Sequence, residues 1–173
     1  MDTSNVVKLS SWAGRKAVGD AHEERVRREL ERRGWTVMPY GQGTWPEPIR
    51  AALRRTESVM RWEPDLLIAQ GSTLRLIDCK AAMRGEDAFM YSISRKALRA
   101  HVRMFAERDL PIFYVFDNLG VLTPPEVMQN SRLETIGDAG GYLSISSGYP
   151  RPFDDVFGLP LPVAPIRAMD EAA

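Results

Sequence analysis

The chain has little of what would suit an extracellular or membrane protein. Among its 173 residues there is one cysteine, Cys79, which excludes an intrachain disulfide and a cysteine-rich zinc site. No apolar run approaches the roughly 20 residues of a membrane helix. The N-terminus has neither the basic start nor the long apolar core of a signal peptide. We therefore expect a cytoplasmic protein with no membrane partner.

The chain also lacks a net charge, but its charges are unevenly distributed. Residues 1–108 contain 20 Lys and Arg against 14 Asp and Glu, whereas residues 109–173 contain 3 against 9. A basic N-terminal part suits a polyanionic partner such as nucleic acid, and solvated, arginine-rich helix faces are the alternative explanation. The length and the apolar content of 44% predict one globular domain over residues 1–173.

The hydrophobic pattern predicts an α/β order of helix, strand, helix, two-stranded hairpin, helix and strand. The predicted helices cover residues 19–33, 48–60 and 88–107, and in the second of them Ile49, Leu53 and Ala52 face inward. The predicted strands cover residues 35–40, the hairpin 64–80, and residues 111–117. This order is typical of a mixed sheet with helices on its faces.

The C-terminal part has a weaker pattern. We expect a loop over residues 130–141 and a short edge strand over residues 142–146. Five of the twelve prolines lie at or after residue 150, so the tail 150–173 is predicted to be extended, with Phe153 and Phe157 as anchors.

The hairpin between residues 64 and 80 carries the strongest chemical signal. Its Gly71-Ser72 pair suits a type II′ turn, and the register that this turn imposes sets Asp65 opposite Asp78. Because side chains alternate along a strand, Lys80 shares the face of both acids. Two carboxylates with Cβ atoms about 5 Å apart on a half-buried sheet are unfavourable unless a cation holds them. The hairpin therefore predicts a divalent metal site.

Further oxygen ligands have to come from outside this acid pair, because hard Mg²⁺ or Mn²⁺ usually takes more than two. The backbone carbonyl of Cys79 lies between Asp78 and Lys80 and is one candidate. Glu23 is the other, since helical spacing puts it on the apolar stripe of the first helix, where an unpaired carboxylate is costly. A glutamate at the stripe edge paired with an arginine is the alternative.

Lys80 has two compatible interpretations. A lysine beside two acids can orient or deprotonate a metal-bound water, or neutralise a phosphate in the transition state. It can equally form a salt bridge to Asp65 or Asp78. The Cys79 side chain points to the opposite face and is expected to be a small buried apolar group.

These features resemble the PD-(D/E)XK motif of the restriction-endonuclease-like nucleases. The motif residues are Pro64-Asp65 and, after an apolar hairpin, Asp78-Cys79-Lys80, with Glu23 on an upstream helix. The order of helix, three strands, helix and strand over residues 15–117 also resembles that family's core. The resemblance implies a restriction-endonuclease-like α/β core with a mixed central sheet flanked by helices, followed by a C-terminal extension over residues 118–173. Small resolvase-like and phage or mobile-element nucleases are the most similar members.

The resemblance implies hydrolysis of phosphodiester bonds in DNA. Asp65 and Asp78, with Glu23 and the Cys79 carbonyl, would bind one or two Mg²⁺ (or Mn²⁺) ions, and Lys80 would position the attacking water. Small nucleases of this kind often act as homodimers, which makes a homodimer a further expectation.

The helix after the motif is expected to add DNA contacts. At helical spacing Ser92, Lys96 and Arg99 fall on one side, and we predict contacts from Ser94, Lys96 and Arg99, with Lys96 beside the scissile phosphate. A solvated helix face is the alternative.

Two other functions compete with a DNA nuclease. The first is a catalytically silent nuclease-like module that binds nucleic acid or protein, and the second is a metal-dependent hydrolase of RNA or of a small phosphodiester. A zinc site is not predicted, because His22 and His101 are far apart in sequence and neither has a neighbouring ligand.

Overall fold

A computed structural model of the protein describes residues 12–81, 90–135 and 141–162. The helices are α1 Trp12–Glu31, α2 Glu47–Leu53, α3 Arg95–Arg108, α4 Pro124–Asn130 and α5 Phe153–Phe157. The strands are β1 Thr36–Pro39, β2 Leu66–Gln70, β3 Thr73–Lys80, β4 Met90–Ser94, β5 Ile112–Phe116, β6 Val121–Leu122, β7 Arg132–Thr135 and β8 Gly141–Ser146. Short 3₁₀ helices cover Gln42–Thr44 and Val59–Trp62. None of the described helices is long and apolar enough to cross a membrane.

A five-stranded mixed sheet runs through the middle of the structure in the order β1-β2-β3-β5-β6. The pairs β1–β2, β2–β3 and β5–β6 are antiparallel, and β3–β5 is parallel. The β2–β3 hairpin has the predicted register, because Leu66 pairs with Ile77 and Gln70 with Thr73. Gly71 has a φ of +57°, which the first central position of a type II′ turn requires. The α/β class and the mixed central sheet are confirmed.

The two faces of this sheet are covered by different helices. On one face, Val26 and Leu30 of α1 are completely buried in a cluster that includes Ile77. On the other, Met104 of α3 packs in a cluster that includes Leu76. Because successive strand residues point to opposite faces, Asp78 and Lys80 share the α3 face with Leu76, and Cys79 packs toward α1 as expected.

The prediction of a single helix over residues 88–107 is wrong at its N-terminal end. β4 occupies residues 90–94 and pairs with β8 in a second sheet, ordered β4-β8-β7, so α3 begins only at Arg95. Buried Tyr91 and Ile93 alternate with half-buried serines, which is the period of a strand. The grouping of Ser92 with Lys96 and Arg99 on one helical side is therefore wrong. Residues 88 and 89 lie outside the described residues.

Two other predicted boundaries are corrected by this second sheet. The strand predicted over 142–146 is β8, which lies in the centre of its sheet between β4 and β7 and is not an edge strand. Residues 132–135 of the predicted loop form β7. Both corrections depend on pairing between segments far apart in sequence.

The predicted helix over residues 48–60 is two shorter elements. α2 ends at Leu53, and a 3₁₀ helix follows at Val59–Trp62. The predicted inward face is mostly wrong, because Ile49 is 51% exposed and Ala52 is exposed, while Leu53 is half-buried. A helix of two turns that buries none of its residues presents no apolar face to the core.

The tail is extended only in part. Phe153 and Phe157 are buried in the cluster on the α1 face, which confirms them as anchors. They belong to α5, however, so an extended conformation is wrong for residues 153–157. Two aromatic residues at positions i and i+4 face the same side of one helical turn. The last part of the predicted tail, residues 163–173, lies outside the described residues.

Candidate active site

Asp65, Asp78 and Lys80 line one cavity of about 290 Å³. Asp65 lies just before β2, and the other two are alternate residues at the end of β3. The remaining wall comes from α3 and from the segment between β1 and β2, through Gln42, Gly43, Arg61, Trp62, Glu63, Ser94, Ala97 and His101. The hairpin therefore brings the two acids and the lysine of the sequence motif together.

The backbone of Cys79 lies on the Asp65 side of β3. Its N–H donates to Asp65 Oδ2 at 2.7 Å. Successive strand residues direct their backbone groups to opposite edges, and Leu76 N–H donates to Pro111 O on the β5 side. Cys79 is three residues after Leu76, an odd number, so its N–H and its carbonyl both point to the opposite edge of β3, the β2 side. The carbonyl that was predicted as a ligand lies on the same strand edge as the Asp65 carboxylate.

The charges of this cluster perturb one another. Burial raises the pKa of Asp65 to about 7, and the neighbouring charge of Asp78 adds to this rise. Lys80 Nζ is in ionic contact with Asp78 Oδ2, a buried oxygen to which no donor in the described part of the chain is aligned for a hydrogen bond. Burial by itself would lower the pKa of Lys80, but Asp78 and Asp65 outweigh it and raise that pKa. With both acids charged, Lys80 is therefore a protonated donor.

Glu23 lies on the α1 side of Asp65. It lines a second cavity, of about 310 Å³, to which Asp65 also contributes. Burial, followed by the charge of Asp20, raises the pKa of Glu23. Among the described residues Glu23 forms no ion pair with an arginine. These contacts therefore do not support the alternative in which Glu23 is paired with an arginine at the edge of the apolar stripe.

The acids can be tested for their fit to a divalent cation. Within residues 12–81, 90–135 and 141–162, no three His, Cys, Asp or Glu side chains are close enough to surround a metal ion. Mg²⁺, however, commonly takes only one or two protein carboxylates and completes its shell with water and substrate phosphate. Asp65 and Asp78 fit that requirement, because a hard cation between them would relieve the repulsion that raises the pKa of Asp65.

The three residues predicted to contact nucleic acid have different positions. Ser94 is half-buried at the N-terminal end of α3 and lines the cavity of Asp78 and Lys80. Lys96 and Arg99 are exposed on the following turns of α3 and line neither cavity. Ser94 therefore lies at the cavity of Asp78 and Lys80, whereas the side chains of Lys96 and Arg99 lie on the protein surface outside that cavity.

His101 and Tyr114 are part of this region, and the sequence interpretation missed both. His101 is 1% exposed, its Nε2 lies 2.6 Å from Trp62 O, and its Nδ1 lies 2.8 Å from the Tyr114 hydroxyl. Because a carbonyl only accepts, Nε2 carries the proton and the hydroxyl donates to Nδ1. Burial lowers the pKa of His101, consistent with a neutral ring. Lys80 Nζ lies 5.6 Å from the centre of the Tyr114 ring.

A signal for His101 is present in the sequence. It follows buried Ala97 by four residues and precedes buried Met104 by three, so helical spacing puts it on the inner face of α3. No comparable signal marks Gln42, Arg61 or Glu63, because their segment has no clear period.

A comparison of this chain with known proteins finds matches among solved structures only. No protein-family model and no curated protein sequence matches the chain. One similar solved structure is Hjc, a Holliday junction resolvase from the archaeal hyperthermophile Archaeoglobus fulgidus. It has a TM-score of 0.52 at 12% identity, over 83% of this chain and 98% of that one. Another is a nuclease from a fusselovirus, with a TM-score of 0.48 at 11% identity, over 91% and 94%. The first similarity shows that this chain has the restriction-endonuclease-like fold of the PD-(D/E)XK nucleases.

Proposed function

We propose that the protein is a metal-dependent endonuclease that hydrolyses phosphodiester bonds in DNA. The observation that carries this proposal is the convergence of Asp65, Asp78 and Lys80 in one cavity of a restriction-endonuclease-like fold. The structurally similar protein is a Holliday junction resolvase, which makes DNA, including branched DNA, the first substrate to test.

The proposed metal ligands are Asp65 and Asp78, with the Cys79 carbonyl on the same strand edge and Glu23 on the α1 side. A bound Mg²⁺ or Mn²⁺ would supply Lewis-acid stabilisation of the charge that develops on the phosphate and the leaving oxygen. The chain's own contribution is a pair of carboxylates held by β3 and by the Asp65–Cys79 hydrogen bond.

Lys80 is proposed to position the attacking water. Its ammonium is fixed beside Asp78 and has its pKa raised, so it orients the water and balances phosphate charge by donating hydrogen bonds. Lys80 does not act as a base while Asp65 and Asp78 are both charged, because its amine is then already protonated.

The substrate backbone is proposed to lie along the N-terminal part of α3. Ser94, which lines the cavity, would contact the scissile group, and the exposed Lys96 and Arg99 would contact phosphates farther along the backbone. Contacts of this kind hold the phosphate backbone without reading base sequence.

The test is cleavage of supercoiled plasmid and of a four-way DNA junction in Mg²⁺ or Mn²⁺, with an EDTA control. Asp78→Ala and Lys80→Ala should each abolish cutting while the protein stays folded. Asp155→Ala, which removes an exposed acid on α5, should cut like the wild type. An Asp78→Ala protein that cuts at the wild-type rate would make the site assignment wrong. DNA binding that persists in EDTA, without cleavage in either metal, would instead favour a silent binding module.

A further inference from the structure

The backbone just before Pro64-Asp65 is held by side chains from two other segments. Gln42 Nε2 donates to the carbonyl oxygen of Arg61. His101 Nε2 donates to the carbonyl oxygen of Trp62 at 2.6 Å. Two successive carbonyls at the end of the 3₁₀ helix Val59–Trp62 thus have fixed partners, one of them a buried histidine.

The next residue is also fixed. The Glu63 side chain is 5% exposed and accepts from both terminal nitrogens of Arg108 on α3, at 2.6 and 2.8 Å. A two-point pair of this kind is among the more rigid contacts that a protein makes. We refer to residues 61–63 as the 61–63 arm, because the three residues together are tied to α3 and to the 3₁₀ helix at Gln42–Thr44.

Arg61, the first residue of this arm, is among the residues that line the cavity of Asp78 and Lys80. One of its terminal nitrogens donates to Thr56 O at 3.0 Å, and its guanidinium carbon lies 5.8 Å from the centre of the Trp62 ring. In the part of the chain that the structure describes, no carboxylate forms an ion pair with Arg61. A guanidinium has five N–H donors, so most of them face no acid of the protein.

We propose that Arg61 binds a backbone phosphate of the nucleic-acid substrate, and that the 61–63 arm positions it for that contact. The inference rests on the proposed function and names a residue of the substrate-binding surface that no motif marks. Lys80, the other cation of the cavity, is already in contact with Asp78. A phosphate that enters beside the carboxylates needs a second cation, and the planar fork of an arginine matches two phosphate oxygens.

Binding tests this proposal without depending on cleavage. A fluorescent four-way junction is titrated in EDTA over a range of salt concentrations, and its dissociation constant is followed by anisotropy. Arg61→Ala should weaken binding about tenfold and lower the salt slope by about one. The dissociation constant of Arg61→Lys should lie between those of the wild type and of Arg61→Ala, because lysine keeps the charge but loses the planar fork of the guanidinium. Arg55→Ala is the matched control from the same segment, and it should bind within twofold of the wild type.

The positioning role of the arm has its own measurement. His101→Leu removes the donor to Trp62 O, whereas His101→Gln keeps an N–H donor at that place. His101→Leu should weaken junction binding, and adding it to Arg61→Ala should weaken binding no further, because both act through one contact. His101→Gln should bind within about twofold of the wild type, which also guards against misfolding of the leucine variant.

The outcomes separate the two proposals. If the wild type binds the junction and Arg61→Ala binds equally with the same salt slope, the role of Arg61 is wrong whether or not the protein cuts. If His101→Leu and Arg61→Ala weaken binding additively, the positioning role of the arm is wrong. A wild type that neither binds the junction nor cuts it in Mg²⁺ or Mn²⁺ would overturn the proposed function itself.

Discussion

At the scale of single residues, the candidate site holds charges in an arrangement that is unfavourable without a cation. Asp65 and Asp78 repel each other in a partly buried place, and Lys80 compensates for only part of this charge. A protein that only folds gains nothing from such a pair, since breaking or neutralising it would relieve repulsion. We therefore expect the pair to respond to pH and to divalent cations.

The folded-state pKa of Asp65, about 7, lies above its ordinary value of 3.8. Between these pH values the folded protein keeps a proton that the unfolded chain releases, so metal-free stability should fall as pH rises from about 4 to 7. Asp65→Asn removes this disfavoured charge and leaves the contact between Lys80 and Asp78 in place, so at pH 8 in EDTA it should raise the melting temperature by about 2–8 °C, or roughly 1–2 kcal/mol.

Differential scanning fluorimetry checks this prediction, with Asp109→Asn as the control. Asp109 is exposed at the end of α3 in a left-handed conformation that asparagine tolerates. An Asp65→Asn protein that melts lower than the wild type at pH 8 would contradict the expected cost of the Asp65 charge.

Lys80 should matter for chemistry more than for affinity. Lys80→Met keeps the apolar stem and removes the ammonium, so single-turnover cleavage should slow by about 10²- to 10⁴-fold while DNA affinity in EDTA changes little. Rapid-quench measurements with saturating protein give the rate, and anisotropy gives the affinity. If Lys80→Met lowered the cleavage rate and the DNA affinity by the same factor, Lys80 would only help to bind the substrate.

At the scale of elements, α3 connects the site to its surroundings. Its inner face carries His101 and Met104, Ser94 lies at the cavity directly before its first residue, and its outer face exposes Lys96 and Arg99. One helix can therefore contribute to the core, to the cavity wall and to a basic surface.

The basic surface of α3 leads to a prediction about salt dependence. Lys96→Ala and Arg99→Ala should each weaken junction binding several-fold and uniformly across DNA sequences, and each should lower the salt slope by about one. Anisotropy titrations at several salt concentrations measure both quantities, with Arg55→Ala again as the control. A slope that both variants leave unchanged would mean that this face of α3 is only solvated.

The C-terminal helix α5 is expected to be essential for stability. Phe157 is 3% exposed, its ring contacts those of Trp35, Phe113 and Phe153, and its carbonyl accepts from Trp35 Nε1 at 3.0 Å. Phe157→Ala should cost about 3–5 kcal/mol in the free energy of unfolding, measured by urea denaturation. Leu159→Ala, at a residue that is 74% exposed, should cost less than about 0.5 kcal/mol. If Phe157→Ala and Leu159→Ala lost similar amounts of unfolding free energy, the packing of α5 would be contradicted.

At the scale of the whole molecule, the unequal charge distribution suits the nucleic-acid partner of the proposed function. The basic residues 1–108 contain both the acids and the lysine of the site. A homodimer, which would allow both DNA strands to be cut, stays a prediction, and light scattering with and without a DNA junction would measure the mass of the complex.

The sequence by itself determined the hairpin, its register and the gathering of Asp65, Asp78 and Lys80. The reason is physical: a two-residue turn sets strand pairing locally, and alternation then decides which side chains share a face. The buried stripe of the first helix follows from equally local rules, although α1 begins at Trp12 and not at the predicted Gly19.

The tertiary structure alone decided the features that depend on distant partners. β4 is a strand because β8, some fifty residues farther on, pairs with it, although its apolar spacing also suits a helix. Arg61 and His101 lie together at the site because a hydrogen bond from α3 holds the end of the 3₁₀ helix Val59–Trp62. Local propensity contains no information about such partners, since the free energy of these contacts appears only when the core brings the segments together.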